Sequence, residues 1–170
     1  MTKKKCLNML LLIGITFNAS ATEVIKIAIF DFELNDITSL PNVPEEIIRT
    51  ASFKPLLESE FQKTGKYEII QIDGQDYRAE NAGLGYLYKF HEISGSLAEK
   101  FGADWVVIGQ HSKPSFLYSY IMVNIVNVKT KKLVAHYDIE LKGNHKKVTE
   151  RGIRAIAKKI GNRIKQYNSN

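Results

Sequence analysis

Two stretches joined by a short basic turn constrain this chain most. Phe116 to Val128 and Lys132 to Leu141 both alternate apolar and polar side chains, the period of a strand with two unlike faces. The intervening residues read as a three-residue hairpin loop with Lys131 at the position that takes a left-handed backbone. Setting Val128 opposite Lys132 places Ile125 opposite Ala135, Val123 opposite Tyr137 and Ile121 opposite Ile139. The other face then pairs Asn124 with His136, Met122 with Asp138 and Tyr120 with Glu140. A slip of one residue would mix the two sets, so this register is specified by the pattern itself. The core face is Ile121, Val123, Ile125, Leu133, Ala135, Tyr137, Ile139 and Leu141.

The residues upstream fit the same frame. Phe101-Gly102 reads as a helix end, because glycine tolerates the left-handed terminus. Trp105 to Ile108 is a continuous apolar run suited to a strand buried on both faces. Gln110 to Ser115 is a polar turn, and Pro114 has no N–H for a central ladder, so the chain is expected to leave the sheet there.

Residues 1–21 stand apart. Lys3, Lys4 and Lys5 precede an apolar run from Cys6 to Phe17, and Ala19-Ser20-Ala21 has the small-x-small pattern of signal peptidase sites. The apolar run is too short for a membrane span, so cleavage before Thr22 is expected. The remaining residues, 22–170, hold no cysteine and form one domain whose stability rests on its core. Loss of the three lysines, in a segment with no acidic residue, lowers the net charge from +6 to +3. A mildly basic exported chain does not carry a nucleic-acid footprint. Contact with a membrane is then at most peripheral.

Val24 to Leu34 reads as a first strand, with Ile25, Ile27 and Ile29 on one face and Ala28, Phe30 and Phe32 on the other. Asn35 to Asn42 is a polar loop. Pro44 opens a helix, and Pro55 requires a break near Thr50 to Ser52 before a second helix that Gly65 closes. Tyr67 to Ile72 is a second strand. Asp73 to Leu84 is the longest irregular stretch, followed by a helix from about Tyr88 to Phe101. The last helix begins near Asn144 as N-cap, with an apolar stripe of Ile153, Ile156, Ile160 and Ile164. This order predicts an α/β (α+β) domain: a mixed five-stranded sheet with an antiparallel C-terminal meander and about three helices.

IAIFDFEL, TGKYEIIQID, LAEKFGADWVVIGQ and NVKTKKLVA together resemble a periplasmic α/β module. That module occurs in the amino-terminal domain of the Tol-system β-propeller protein and in the curli-secretion lipoprotein. Asp31-Phe32, Gly102-Ala103-Asp104, Gly109, Lys113-x-Ser115, Thr130 and Gly143-Asn144 are similar to a bacterial family of secreted proteins of unknown function. Some of its members are encoded beside quinoprotein alcohol dehydrogenases, which implies a periplasmic accessory role. This chain has Lys131 where that family's hairpin has glycine, and lacks the cysteine pair of some relatives.

The residues themselves contain no catalytic motif. His91, His111, His136 and His145 lack metal-ligand spacing and read as solvated or partner-facing, so neither metal nor cofactor is expected. His111, Ser112 and Ser115 cluster in sequence without a nucleophile elbow. Asp31 ends a strand, where ligand sites and loop-capping aspartates both occur. Lys113 and Ser115 are candidates for binding an anion or a partner backbone, and Asn144 joins them through the family resemblance. Phe116, Tyr118, Tyr120 and Met122 offer an interface-like face unless the last helix covers it. Lys147, Arg151, Arg154 and Lys158 form a basic stripe that is either a solvated face or a contact with an anionic surface or acidic protein. The leading expectation is a non-enzymatic periplasmic binding or adaptor protein engaging an envelope protein. The alternative is a carrier of a small anionic or cofactor-like ligand near Asp31 and Lys113, accessory to a quinoprotein dehydrogenase system.

Overall fold

The computed structural model describes residues 24–143 and 145–169; the expected signal peptide lies outside them. The domain is α/β, with six strands in one mixed sheet and six helical segments, more than the five and three expected. The strands are β1 (Ile25–Ile29), β2 (Glu33–Asp36), β3 (Tyr67–Ile70), β4 (Trp105–Lys113), β5 (Tyr118–Asn127) and β6 (Lys132–Lys142). The sheet order is β3-β1-β4-β5-β6, with β2 also beside β4. β1, β2 and β3 run parallel to their neighbours, while β4, β5 and β6 form the antiparallel meander.

The expected first strand is two strands. Ile29 pairs with Val107 and Glu33 with Gln110, so Phe30, Asp31 and Phe32 stand opposite only Ile108 and Gly109. That extra residue is a bulge, and it reverses the side-chain alternation beyond it. Phe32 therefore joins Ile27 and Ile29 in one core cluster, instead of Ala28 and Phe30 in the other. Its ring fills the space beside Gly109, where any Cβ would collide with it.

β4 also departs from expectation. Gln110 to Lys113 remain in the sheet, because β2 on one side and β5 on the other satisfy their backbone. The chain leaves at Pro114, where no N–H is available.

Helices α1 (Pro44–Ala51) and α2 (Phe53–Gln62) break at Ser52, as Pro55 requires. The stretch expected to be irregular holds α3 (Gly74–Glu80), whose cap Asp73 accepts from the amides of Gln75 and Asp76. The helix expected over Tyr88 to Phe101 is α4 (Tyr86–Lys89) and α5 (His91–Lys100), interrupted at Phe90, which is left exposed. Helix α6 (Lys146–Asn168) is capped at His145, one residue later than expected; Asn144 lies outside the described residues.

The hairpin register holds from Tyr120–Glu140 to Ile125–Ala135. Nearer the turn, Val126 pairs with Leu133 and Asn127 with Lys132, leaving Val134 as a bulge. Leu133 is consequently exposed, not core, and Val134 packs inward. The turn spans four residues, with Lys131 left-handed at φ 56°. Arg163 of α6 donates to the bulged Val134 carbonyl, a group the ladder leaves open.

The two sheet faces have separate cores. Helices α1, α2 and α6 cover the first, where Ile121, Val123 and Ile125 meet Ile153, Ile156, Ile160 and Ile164. Helices α3, α4 and α5 cover part of the second, where Ala28, Phe30, Val106 and Ile108 meet Leu87 and Leu97.

Candidate functional site: an open sheet end backed by a buried charge network

The second face is covered unequally because its helices are short. β6 has 11 residues, roughly 36 Å of strand, whereas the 10 residues of α5 span about 15 Å. Coverage stops at Asn124, which donates to the Tyr88 carbonyl (2.9 Å) and accepts from His136 Nδ1 (2.8 Å). Beyond it, Tyr118, Tyr120 and Met122 share a face with Gln110 and Ser112 on β4 and with Asp138, Glu140 and Lys142 on β6. Tyr118 and Tyr120 meet edge to face at 5.8 Å. Tyr118 is 38 % exposed, and Asp138 and Glu140 are exposed beside it. Helix α6 does not cover this face; it lies on the opposite one. Phe116 departs from the expected grouping. It precedes β5, and the Lys113 ammonium, which points to the α1 side, lies 5.3 Å from its ring.

Behind this end of the sheet lies a network that sequence reasoning missed. Lys113 Nζ is 3.6 Å from Asp36 and 3.5 Å from Glu46, and all three side chains are at most 6 % exposed. Glu46 also pairs with Arg49 at 3.4 Å, and Arg49 donates to Thr149 Oγ1 and the Gly143 carbonyl. Two cations thus balance two carboxylates across β2, α1, β4 and α6. Burial raises the Asp36 carboxyl. Hydrogen bonds from the Thr38 hydroxyl and amide and from the Asn42 amide, with the Lys113 charge, outweigh that and hold it below the usual carboxylate range.

His111 is fully buried beside this network, correcting its reading as a solvated residue. Thr50 spends its hydroxyl proton on the Glu46 carbonyl (2.7 Å), so it accepts from His111 Nδ1–H at 2.7 Å. His111 Nε2 then accepts from the Ser119 hydroxyl at 2.9 Å. Burial, reinforced by Arg49 and Lys113, lowers the His111 pKa to about 3, with Asp36 opposing. This is a Ser–His contact, but its third partner is a threonine hydroxyl and Ser119 is 2 % exposed. A base this weak, facing a buried hydroxyl, fixes the packing of α1 on the sheet. The signal was present in the sequence: Val107, Gly109, His111 and Lys113 continue one face of β4.

The other candidates are dispersed. Asp31 is exposed at the bulge and pairs with Lys54 at 3.0 Å, apart from the partners of Lys113. Ser115 Oγ accepts from the Leu117 amide and shapes the β4–β5 turn. The basic stripe divides: Arg151 borders β6, while Arg154 and Lys158 border a groove against α2. Among the described residues, no three metal-capable side chains converge. No helix among them is long and apolar enough to cross a membrane.

The chain belongs to the DUF3280 family, described as a protein of unknown function (DUF2380), whose model matches residues 25–160. No curated protein sequence matches it. Among solved structures it is similar to lipoprotein GNA1162 from Neisseria meningitidis: 14 % identity, 81 % of this chain and 96 % of that one, TM-score 0.51. The PelC dodecamer from Paraburkholderia phytofirmans is similar at 11 % identity over 78 % of this chain and 85 % of that one, TM-score 0.50. TolB from Acinetobacter baumannii is matched at 16 % identity over 85 % of this chain but only 28 % of that one, TM-score 0.48.

Proposed function

We propose that this protein is a non-enzymatic adaptor of the bacterial envelope, exported by a signal peptide cleaved before Thr22 to leave one domain. It binds a protein partner through the open end of the second sheet face. The observation that carries this reading is the unequal coverage of the sheet, which leaves Tyr118, Tyr120 and Met122 outside both cores. Two rigid aromatics and a methionine, edged by Asp138 and Glu140, have the composition of an interface centre with a polar rim. The partner would present an apolar patch flanked by basic groups, complementary to those carboxylates. Lys113 and Ser115 act indirectly, by holding the β4–β5 turn beside the tyrosines. The fold shared with lipoprotein GNA1162 from Neisseria meningitidis supports an envelope setting.

The test is capture from periplasmic extract with the tagged protein, read by mass spectrometry and then by affinity for the purified partner. Tyr118→Ala/Tyr120→Ala should remain folded and lose the partner, while Asp31→Ala should retain it. Equal capture by wild type and the tyrosine variant would sink the proposal. Intact-mass measurement of the exported protein should give a chain starting at Thr22.

A further inference from the structure

A second surface lies on the far side of the sheet. Helices α2 and α6 and strand β3 enclose an open groove of about 630 Å³. Its floor is apolar, built from Phe61, Tyr67 and Ala157, and Gly161 keeps it open. A Cβ at Gly161 would stand 3.3 Å from the Tyr67 hydroxyl. The rim is cationic: Lys66 on one side, and Arg154, Lys158 and Lys165 on the other. All four are exposed, and none forms an ion pair among the described residues. The one carboxylate on the rim, Glu60, is already paired with Lys63 at 2.6 Å.

This differs from an ordinary solvated helix face. Arg154, Lys158 and Lys165 fall on one line of α6, and Lys66 borders the same groove from the turn before β3, so four cations line an apolar floor. Such a site suits an anionic head with an apolar body. The Tyr67 ring in that floor packs on Phe61 with ring centroids 4.7 Å apart. Tyrosine and long cations over apolar surface are the residues that seat a protein at a lipid headgroup layer. An acidic polypeptide would satisfy the cations, but the apolar floor would add little to holding its polar backbone.

We propose that the α2–α6 groove binds anionic phospholipid at a membrane surface, seating the protein peripherally with its open sheet face turned to the partner. The site is independent of the tyrosine face. The Tyr118→Ala/Tyr120→Ala variant therefore serves as a control that should bind lipid normally.

The purified protein would be sedimented with vesicles of phosphatidylcholine, with or without phosphatidylglycerol, at low and high salt. Binding should require phosphatidylglycerol and weaken with salt. Arg154→Glu/Lys158→Glu/Lys165→Glu should bind on the order of a hundredfold more weakly or worse, at unchanged circular dichroism. Lys66→Glu, on the opposite rim, should weaken binding about tenfold, because the groove and not the α6 ridge alone is the site. Each of the following would overturn the proposal: no vesicle binding, equal binding to phosphatidylcholine alone, or full affinity in Lys66→Glu. Displacement by polyglutamate as effective as that by phosphatidylglycerol vesicles would reassign the groove to an acidic polypeptide.

Discussion

Both faces of the sheet are built from the same strands, yet they end differently. On the first face, α6 has 23 residues, about 34 Å, and matches the length of β6. It covers the apolar row from Ile125 to Ile121, and Gly152 allows close approach to Leu141. Where the apolar row of β4 gives way to His111 and Lys113, α1 closes over them with Glu46, Arg49 and Thr50. Every polar group there meets a partner, as burial demands. On the second face, α3, α4 and α5 stop short, which leaves Tyr118 exposed and Tyr120 partly exposed. A full-length helix turns one face into core; three short ones leave the other a surface available for recognition.

The largest expected effect breaks the first face outright. Ile125→Asp places a carboxylate in a fully buried row and should cost about 4 kcal/mol or more, measured by denaturant unfolding. Next is Lys113→Met, which leaves Asp36 without its cation and Glu46 with Arg49 alone, and should cost about 3 kcal/mol. Adding Glu46→Gln should recover part of that loss, and a purely additive double variant would argue against coupling.

Acid sharpens the comparison further. His111 is neutral in the fold, with a pKa near 3 against 6.5 when unfolded, so its contribution is complete above pH 6.5 and declines as pH falls toward 3. About 2 kcal/mol should be lost between pH 7 and pH 5. His111→Gln should remove most of that slope, the remainder belonging to His91, whose pKa burial also lowers, while the Asp36 carboxylate, whose pKa is lowered, titrates at still lower pH. A wild-type profile with no slope from pH 7 to 5 would mean His111 is not held neutral.

The smallest stability effect belongs to the open face. Tyr118→Ala/Tyr120→Ala should shift Tm by no more than about a few degrees, since neither side chain belongs to a core cluster. A large shift would place the tyrosines in the fold and remove them from recognition.

The chain was legible where its constraints are local. Period-two alternation set Ile121, Val123 and Ile125 against Asn124 and Met122, and Pro55 marked the break at Ser52. Lys131 adopts the left-handed turn conformation that its place in the loop required. The sequence also placed Asn124 on the face of His136, but not its burial under Tyr88, which depends on a helix 33 or more residues away. The candidate site was legible only at its edge. The alternation put Tyr118 and Tyr120 on one face of β5, whereas it could not show that Lys113 is paired, because Asp36 and Glu46 are distant in the chain.

By itself, then, the sequence determined the α/β class, the hairpin register along most of its length and the two-faced character of β5, since short-range periodicity and backbone sterics specify these. Only the tertiary structure decided which face α6 would cover, how the bulge at Asp31 would turn Phe32 inward, and that Lys113 would be neutralised. Each of those outcomes depends on side chains that meet only after distant elements have packed, where volume and charge must be satisfied together.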